Sequence, residues 1–278
     1  MILTAEERIV RKRSLFDGAL PSSILKIFAI ARNTYRESVR EKIWLVVLLF
    51  GVVIIASSFF LSPLAVGAKQ KIILDVGLAS ISILSVVMSI LVGSTLLHKE
   101  IEKRAIYLIL TRPVNRFEYL VGKLSGMVAT ISVLMAVMTI IFLVTAYFGG
   151  SQINTKVIAA IYLSLLEVAL VSSIIVFFST FTTPVLTSVF TLCLFISGNL
   201  SGDLRTFAQK FGSPTVRWIM DFLYYTLPNF KVFNLRHEAV HDLPFNFQDL
   251  YHVTIYAFVY CTAIMYFAYL VFRGREMR

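Results

Sequence analysis

Residues 157–180 have the sequence VIAAIYLSLLEVALVSSIIVFFST, in which Glu167 is the only acidic or basic side chain. A helix needs about 20 apolar residues to cross the roughly 30 Å hydrocarbon core of a bilayer. This stretch therefore predicts a transmembrane helix. The fold class then depends on how often the same pattern recurs along the chain.

Five further apolar stretches occur, and each is predicted to cross the membrane. The six predicted spans are 43–61, 72–97, 124–148, 157–180, 185–200 and 251–272. The span at 185–200 is the shortest, and it follows Pro184, a residue well suited to the first turn of a helix. Only 15% of the residues are charged, against about 25% in soluble domains. We therefore predict an all-α integral membrane protein, with residues 1–278 forming a single domain.

The positions of Lys and Arg predict the orientation. The segments 1–42, 98–123 and 273–278 contain 18 of the 26 basic residues, and the connections on the other side contain eight. Cytoplasmic loops are enriched in Lys and Arg, so both ends of the chain are predicted to be cytoplasmic. The net charge of +10 does not indicate a nucleic-acid partner, because most of these residues flank apolar stretches.

Residues 22–42 fit an amphipathic helix. Such a helix lies at the membrane interface, with its apolar side toward membrane lipids and its basic side toward anionic head groups. A soluble helix packed on a partner is the alternative. The apolar face contains Ile24, Ile27, Phe28, Ala31, Tyr35 and Val39, and the opposite face contains Lys26, Arg36 and Arg40.

The segment 201–250 is too polar to span a membrane and too apolar to be a free loop. Leu204, Phe207, Ala208 and Phe211 form one short helical stripe, and a second stripe runs from Val216 to Leu227. We predict two short external helices between the fifth and sixth spans.

The loop between the second and third predicted spans contains a third surface element. Residues 99–111 fit a short helix with apolar residues along one side, and Pro113 ends it. A helix of this kind, held between two rigid spans, can move both of them when a partner binds it. A solvated loop would not need the apolar side, so we predict a docking site.

The sequence of this loop resembles a known family. Residues 100–123, EIEKRAIYLILTRPVNRFEYLVGK, are similar to the signature loop of the ABC-2 type transporter permeases. They resemble most the branch that contains the gliding-motility and nitrous-oxide-reductase-maturation permeases. The matching features are Glu100, the Arg112–Pro113 pair, Arg116 and the Gly122–Lys123 pair. The runs FSTF at 178–181 and LPNF at 227–230 also resemble this branch.

The resemblance implies a function and a set of partners. Such permeases pair with a second copy or a homologous permease, and two separate cytoplasmic ATPase subunits dock on the pair. The helix after the second span is the coupling helix, which transmits ATP-driven movement. The resemblance implies an exporter in the bacterial cytoplasmic membrane. The residues expected to contact the ATPase are Glu100, Ile101, Arg104, Ala105, Leu108, Ile109, Arg112 and Pro113.

The chain contains no Walker A motif for binding ATP. The nearest candidate is Gly122–Lys123, but Phe117 stands where the leading glycine belongs and Leu124 replaces the Ser or Thr. We therefore expect no cofactor in this chain and no catalytic residues, with ATP and magnesium bound by the partner ATPase.

Glu167 is the residue in the spans most expected to have a role beyond helix packing. A carboxylate in the middle of a span is costly unless it is protonated, hydrogen-bonded or in contact with water. It either lines a translocation path or, as a neutral acid, holds a neighbouring helix. Two other function classes are alternatives: a secondary transporter that uses Glu167 as an ion or proton site, and, from the resemblance to motility permeases, a membrane anchor or force-transmitting subunit that transports nothing.

Other polar and small residues in the spans have structural interpretations. Asp75 is expected to cap the outer end of its span. The small-residue stripe Ser82, Ser85, Ser89 and Gly93 is expected to allow close helix packing, with a polar path as the alternative, and Gly122 and Gly126 form a GxxxG motif with the same role.

The histidines and cysteines give weaker signals. His237 and His241 have the i, i+4 spacing that can hold a metal on a helix, and His252 follows. The sequence LPFN at 243–246 suggests irregular chain instead, so we predict no metal site. Cys193 and Cys261 lie in apolar stretches and are interpreted as packing residues.

Overall fold

A computed structural model describes residues 22–40, 42–61, 69–102, 115–151 and 153–274, and these residues form helices without any strand. The long helices are α1 (Ser22–Arg40), α2 (Ile43–Leu61), α3 (Lys69–Glu102), α4 (Arg116–Phe148), α5 (Thr155–Ser179) and α6 (Pro184–Phe211). They are followed by α7 (Pro214–Thr226), a 3-10 turn (Phe230–Phe233), α8 (Arg236–His241) and α9 (Phe247–Gly274).

Five of the described helices are long and apolar enough to cross a membrane. They are α3, α4, α5, α6 and α9. In α2 the apolar part, Ile43–Ser58, is shorter than the other five. The all-helical membrane fold is therefore confirmed, while the sixth span stays a prediction.

The bundle is arranged around α3 and α5. About two thirds of the apolar window of α3 (67%) and of α5 (61%) is buried within the protein, against 22% for α6 and for α9. Gly77 of α3 lies against Phe142 of α4 and Gly93 lies against Met127, so these two helices run in opposite directions and the bundle has two ends. We call them the α1 end, where α4 begins and α9 finishes, and the α8 end, which contains α7, the 3-10 turn and α8.

The turn predicted between the fourth and fifth spans is present. Helix α5 ends at Ser179, and α6 begins at Pro184 with proline in its first turn. The missing N–H of proline costs nothing at this position, because the first N–H groups of a helix have no intrahelical partner.

The structure corrects the prediction for the segment after this span. Helix α6 continues without a break to Phe211, so the first of the two expected external helices is the final part of α6. Neither Gly198 nor Gly202 interrupts it, and the first proline after Pro184 is Pro214, where α7 starts behind the capping residue Ser213. The span predicted at 185–200 is therefore part of a 28-residue helix.

Two other spans are also longer than predicted. Helix α3 continues through Glu102, beyond the predicted end at 97, and α4 begins at Arg116, eight residues before the predicted start at 124. Charged residues ended the predicted spans, but a helix can continue past the apolar region wherever other protein covers it. At the start of α4 this cover is α1.

Candidate functional site

Helix α1 lies against the start of α4, and two glycines make the contact. A Cβ atom added at Gly126 would lie 2.6 Å from Cβ of Thr34 and 2.7 Å from the carbonyl oxygen of Ala31. One added at Gly122 would lie 2.8 Å from Cβ of Ile30. Only glycine permits such a close approach of two helices, so the packing role predicted for the GxxxG motif is confirmed.

The face of α1 that packs on α4 overlaps the predicted apolar face only in part, for example at Ala31. Thr34 and Ser38 are buried in this contact, whereas Ile24 is exposed and Phe28 is 68% exposed. Small residues are suited to the close contact with the glycines. The larger apolar residues Ile24 and Phe28 are therefore left on the outer side of the bundle.

Arg116 and Lys123 connect the start of α4 to its neighbours. Nη1 of Arg116 donates hydrogen bonds to the carbonyl oxygens of Phe272 (3.0 Å) and Arg273 (2.9 Å), in the last turn of α9. A cation is favourable there because the C-terminal carbonyls of a helix are unpaired and partly negative. Lys123 is only 1% exposed and lies 3.9 Å from Oε2 of Glu37 in α1. This lysine is therefore covered by α1.

Replacing Arg116 by Leu is expected to loosen the end of α9. Losing hydrogen bonds from a charged donor costs about 2 kcal/mol, so the amides of residues 268–274 should exchange with solvent about 30-fold faster. Hydrogen exchange of the chain in lipid nanodiscs measures this change. Arg40→Leu, at an exposed position of α1, is the matched control, and equal effects of the two variants would contradict the capping role.

The second region of interest surrounds Glu167, which lies halfway along α5. It is 6% exposed, and its Oε2 accepts a hydrogen bond of 2.9 Å from the hydroxyl of Ser82 in α3. Glu167 is 12 residues from each end of α5, which places it about 18 Å from either end. The sequence identified this residue correctly as a buried carboxylate in the middle of a span.

Glu167 faces a pocket of about 340 Å³. Helices α3, α5 and α6 form its walls, and the segment from the 3-10 turn to α8 covers the side nearer the α8 end. Most of the lining is apolar, and the polar side chains include Ser82, Ser164, Glu167 and Asn199. Ile83 and Ile196 lie at the edge and are exposed, so the pocket opens on the outside of the bundle between α3 and α6.

An ion pair lies at the end of this pocket. Nε of Arg236, which lines the pocket, is 2.9 Å from Oδ1 of Asp75 in α3. The expectation that Asp75 caps its own helix is therefore wrong, because its carboxylate binds an arginine from a distant part of the sequence. The pairing could not be predicted, since no local pattern indicates that α8 lies beside α3.

The serine stripe of α3 divides into two roles. The hydroxyls of Ser85 and Ser89 are buried and donate to carbonyl oxygens of their own helix. Gly93 lies against Met127 and Ile175. These three residues pack as predicted, whereas Ser82 binds Glu167 and lines the pocket.

The LPNF run at 227–230 holds the cover of the pocket in place. Phe230 is fully buried, with its ring centroid 5.1 Å from that of Phe195 in α6. A Cβ atom added at Gly198 would lie 2.5 Å from the carbonyl oxygen of Pro228. The N–H of Asn229 donates to the hydroxyl of Tyr256 in α9 at 2.8 Å. This motif thus anchors the segment between α6 and α9.

The histidine cluster adopts a different local structure from the predicted irregular chain. His237 and His241 lie in α8, with their ring centroids 4.4 Å apart. Among the described residues no group of three His, Cys, Asp or Glu side chains is arranged to hold a metal ion. The neighbouring Asp242 instead receives a hydrogen bond of 2.6 Å from Lys156, which lowers the pKa of this carboxyl group.

The two cysteines, Cys193 and Cys261, do not form a disulfide bond. Cys261 is partly buried in α9, and Cys193 is exposed on the outer side of α6. A packing role thus fits Cys261 within the chain but not Cys193.

The predicted docking residues lie mostly outside the described part of the chain. This applies to Arg104, Ala105, Leu108, Ile109, Arg112 and Pro113. At Glu100 and Ile101 the described backbone continues α3. The described residues on either side place the ends of this loop, Glu102 and Asn115, at the α1 end of the bundle.

The described helices define a multi-pass membrane protein with a buried carboxylate facing a mostly apolar pocket. A family model described as "ABC-2 family transporter protein" matches residues 28–277, and the chain belongs to this family. It is therefore a membrane permease subunit of an ATP-binding cassette transporter, a class that works with ATPase subunits and is generally not catalytic itself. Among curated proteins, none matches the sequence.

Proposed function

We propose that two copies of this chain, or this chain and a homologous permease, form the translocation path of an exporter driven by two ATPase subunits. Residues 99–111 are the docking helix, and ATP and magnesium are bound by the partner subunits. The observation that supports this proposal best is the set of contacts at the start of α4, directly after the loop.

These contacts join the loop to several helices. Asn115 precedes α4, and its N–H donates to Oε2 of Glu118 at 3.1 Å. In the next residues Arg116 binds the end of α9, and Gly122 and Gly126 lie against α1. A displacement of the loop is therefore transmitted to α1, α4 and α9 together. On the other side the loop continues directly from α3, whose middle lines the pocket.

The exposed apolar side chains of α1 and α2 support the proposed placement in the membrane. Six spans are formed by α2 to α6 and α9, the α1 end is cytoplasmic, and the membrane is the bacterial cytoplasmic membrane. The exposed Ile24 and Phe28 support an interfacial location for α1, with lipid contacting these side chains. The apolar residues of α2 that face outward, such as Leu49 and Phe50, support its assignment as a span.

Replacing Leu108 by Asp tests the docking site. A charged side chain in an apolar contact is expected to weaken ATPase binding more than about tenfold, equivalent to about 1.4 kcal/mol or more. The tagged chain is purified from membranes of its own host. The copurifying ATPase is identified by a peptide that contains a Walker A motif. Native mass spectrometry should give two permeases and two ATPases for the unmodified complex, and Leu108→Asp should lose both the ATPase and ATP hydrolysis.

Two variants serve as controls for this experiment. Leu108→Met keeps the apolar surface and should retain the ATPase. Asn33→Asp adds the same charge at an exposed position of α1, at the same end of the bundle, and should also retain it. Undiminished copurification and turnover in Leu108→Asp would refute the docking role. A chain that transports without any ATPase would favour the ion-driven alternative.

A further inference from the structure

The pocket around Glu167 has the composition of a ligand site. Its volume of about 340 Å³ lies within the usual range of small-molecule pockets, about 300–1,000 Å³. Its lining is mostly apolar with a few polar groups, as in such pockets. It lies within one chain and is separate from the loop proposed to contact the ATPase.

The two serine hydroxyls of the pocket have already used their hydrogens within the protein. The hydroxyl of Ser82 donates to Glu167, and that of Ser164 donates to the carbonyl oxygen of Ala160 at 3.0 Å. One of the two side-chain N–H groups of Asn199 donates to the carbonyl oxygen of Phe195 at 3.1 Å, and its side-chain oxygen is an acceptor. A hydroxyl has one hydrogen and two lone pairs, and a carboxylate only accepts. The groups left for a ligand are therefore mainly acceptors.

The charge of an ionised Glu167 carboxylate also favours a ligand that donates hydrogen bonds. An ionised carboxylate in the middle of a bilayer is costly unless a positive charge accompanies it. The arginine of the lining, Arg236, is already paired with Asp75 at the end of the pocket. An ammonium group offers both the positive charge and up to three N–H donors.

We propose that this pocket binds lipophilic primary ammonium ions, with the ammonium group against Glu167, Ser164 and Asn199 and the apolar part against the walls formed by α3 and α6. The opening between Ile83 and Ile196 allows such a molecule to enter from the surrounding lipid. The proposal needs neither a docked ATPase nor a direction of transport.

Equilibrium binding to the full-length chain in zwitterionic lipid nanodiscs tests the site. The probes are 1-adamantylammonium, the neutral 1-adamantanol and the anionic 1-adamantanecarboxylate, which share one rigid apolar cage. Binding to empty nanodiscs is subtracted. The ammonium probe should bind saturably and about tenfold or more tightly than the alcohol, and the carboxylate should not bind.

Three variants separate the contribution of the Glu167 carboxylate to ligand binding from the contribution of the rest of the pocket. Glu167→Gln keeps the shape and the bond to Ser82 and should abolish the preference for ammonium. Glu238→Gln makes the same change in α8, outside the pocket lining, and should keep that preference. Ala79→Phe fills the pocket without touching the carboxylate and should weaken binding of both the ammonium and the alcohol.

Three results would overturn the proposal. They are the absence of saturable binding, equal affinity of the unmodified chain for ammonium and alcohol, and an unchanged ammonium preference in Glu167→Gln. Equal affinity would mean that Glu167 is a neutral acid that holds α3 through Ser82. Gel filtration of each variant verifies that it is folded, and loss of the ATPase in the docking experiment would leave these binding results unaffected.

Discussion

Replacing Gly126 by Leu is expected to detach α1 from α4. The Cβ alone would lie 2.6 Å from Cβ of Thr34 and 2.7 Å from the carbonyl oxygen of Ala31, and the latter is a backbone atom that cannot rotate away. Overpacking at such a contact costs about 3 kcal/mol. The amides of residues 22–40 should then exchange about 100-fold faster in nanodiscs, while those in the middle of α3 and α5 stay protected.

The matched control for this variant is Ala129→Leu. Ala129 is on the same helix, less than one turn further along, and is exposed, so the same side chain there has room to extend away from the protein. If the proposed connection from loop to α1 operates, Gly126→Leu should also reduce ATP hydrolysis by the complex, and Ala129→Leu should not. Unchanged protection of residues 22–40 in Gly126→Leu would show that α1 can shift to accommodate the larger side chain.

Replacing Phe230 by Ala is expected to release the cover of the Glu167 pocket. The side chain is fully buried against Phe195 in α6 and lies beside Phe233 of the same 3-10 turn, with ring centroids 6.5 Å apart. Loss of a buried phenylalanine costs about 3–5 kcal/mol. Since Phe233 and Leu235 line the pocket, the change should also weaken binding of 1-adamantylammonium. Hydrogen exchange of residues 228–241 and the midpoint of thermal unfolding measure the structural effect.

Phe222→Ala is the control, because it removes the same group from an exposed position of α7. Its thermal midpoint should stay close to that of the unmodified chain. A similar loss of stability in both variants would mean that the effect arises from general contact with lipid. Normal exchange of residues 228–241 in Phe230→Ala would mean that the bond from Asn229 to Tyr256 is sufficient to hold the segment.

The Glu167 pocket illustrates how far sequence reasoning extends. The buried carboxylate was recognisable because a single acidic residue in a long apolar stretch is conspicuous on energetic grounds. In the sequence its partner Ser82 is only one member of a small-residue stripe. Asn199 lies in a short predicted span and Arg236 in a predicted external segment, and no local pattern connects either with Glu167. These four residues come from four separate segments, so only the packing of the bundle brings them together.

The helix ends differ from the predicted span ends for a related reason. Apolar length was used to set the ends of each span, but charged residues such as Lys123 continue α4 because α1 covers them. The same reasoning ended the fifth span at residue 200, although the chain has no helix-breaking proline before Pro214.

The amino-acid sequence is sufficient to predict a helical membrane protein and the segments that are apolar enough to cross a bilayer, because lipid requires each span to satisfy its own backbone hydrogen bonds. It also contained the close-packing glycines and the isolated carboxylate. The tertiary structure alone decided which side of α1 faces α4, which helix Arg116 caps, and which groups surround Glu167. These depend on contacts between residues far apart in the chain, for which local patterns contain no information.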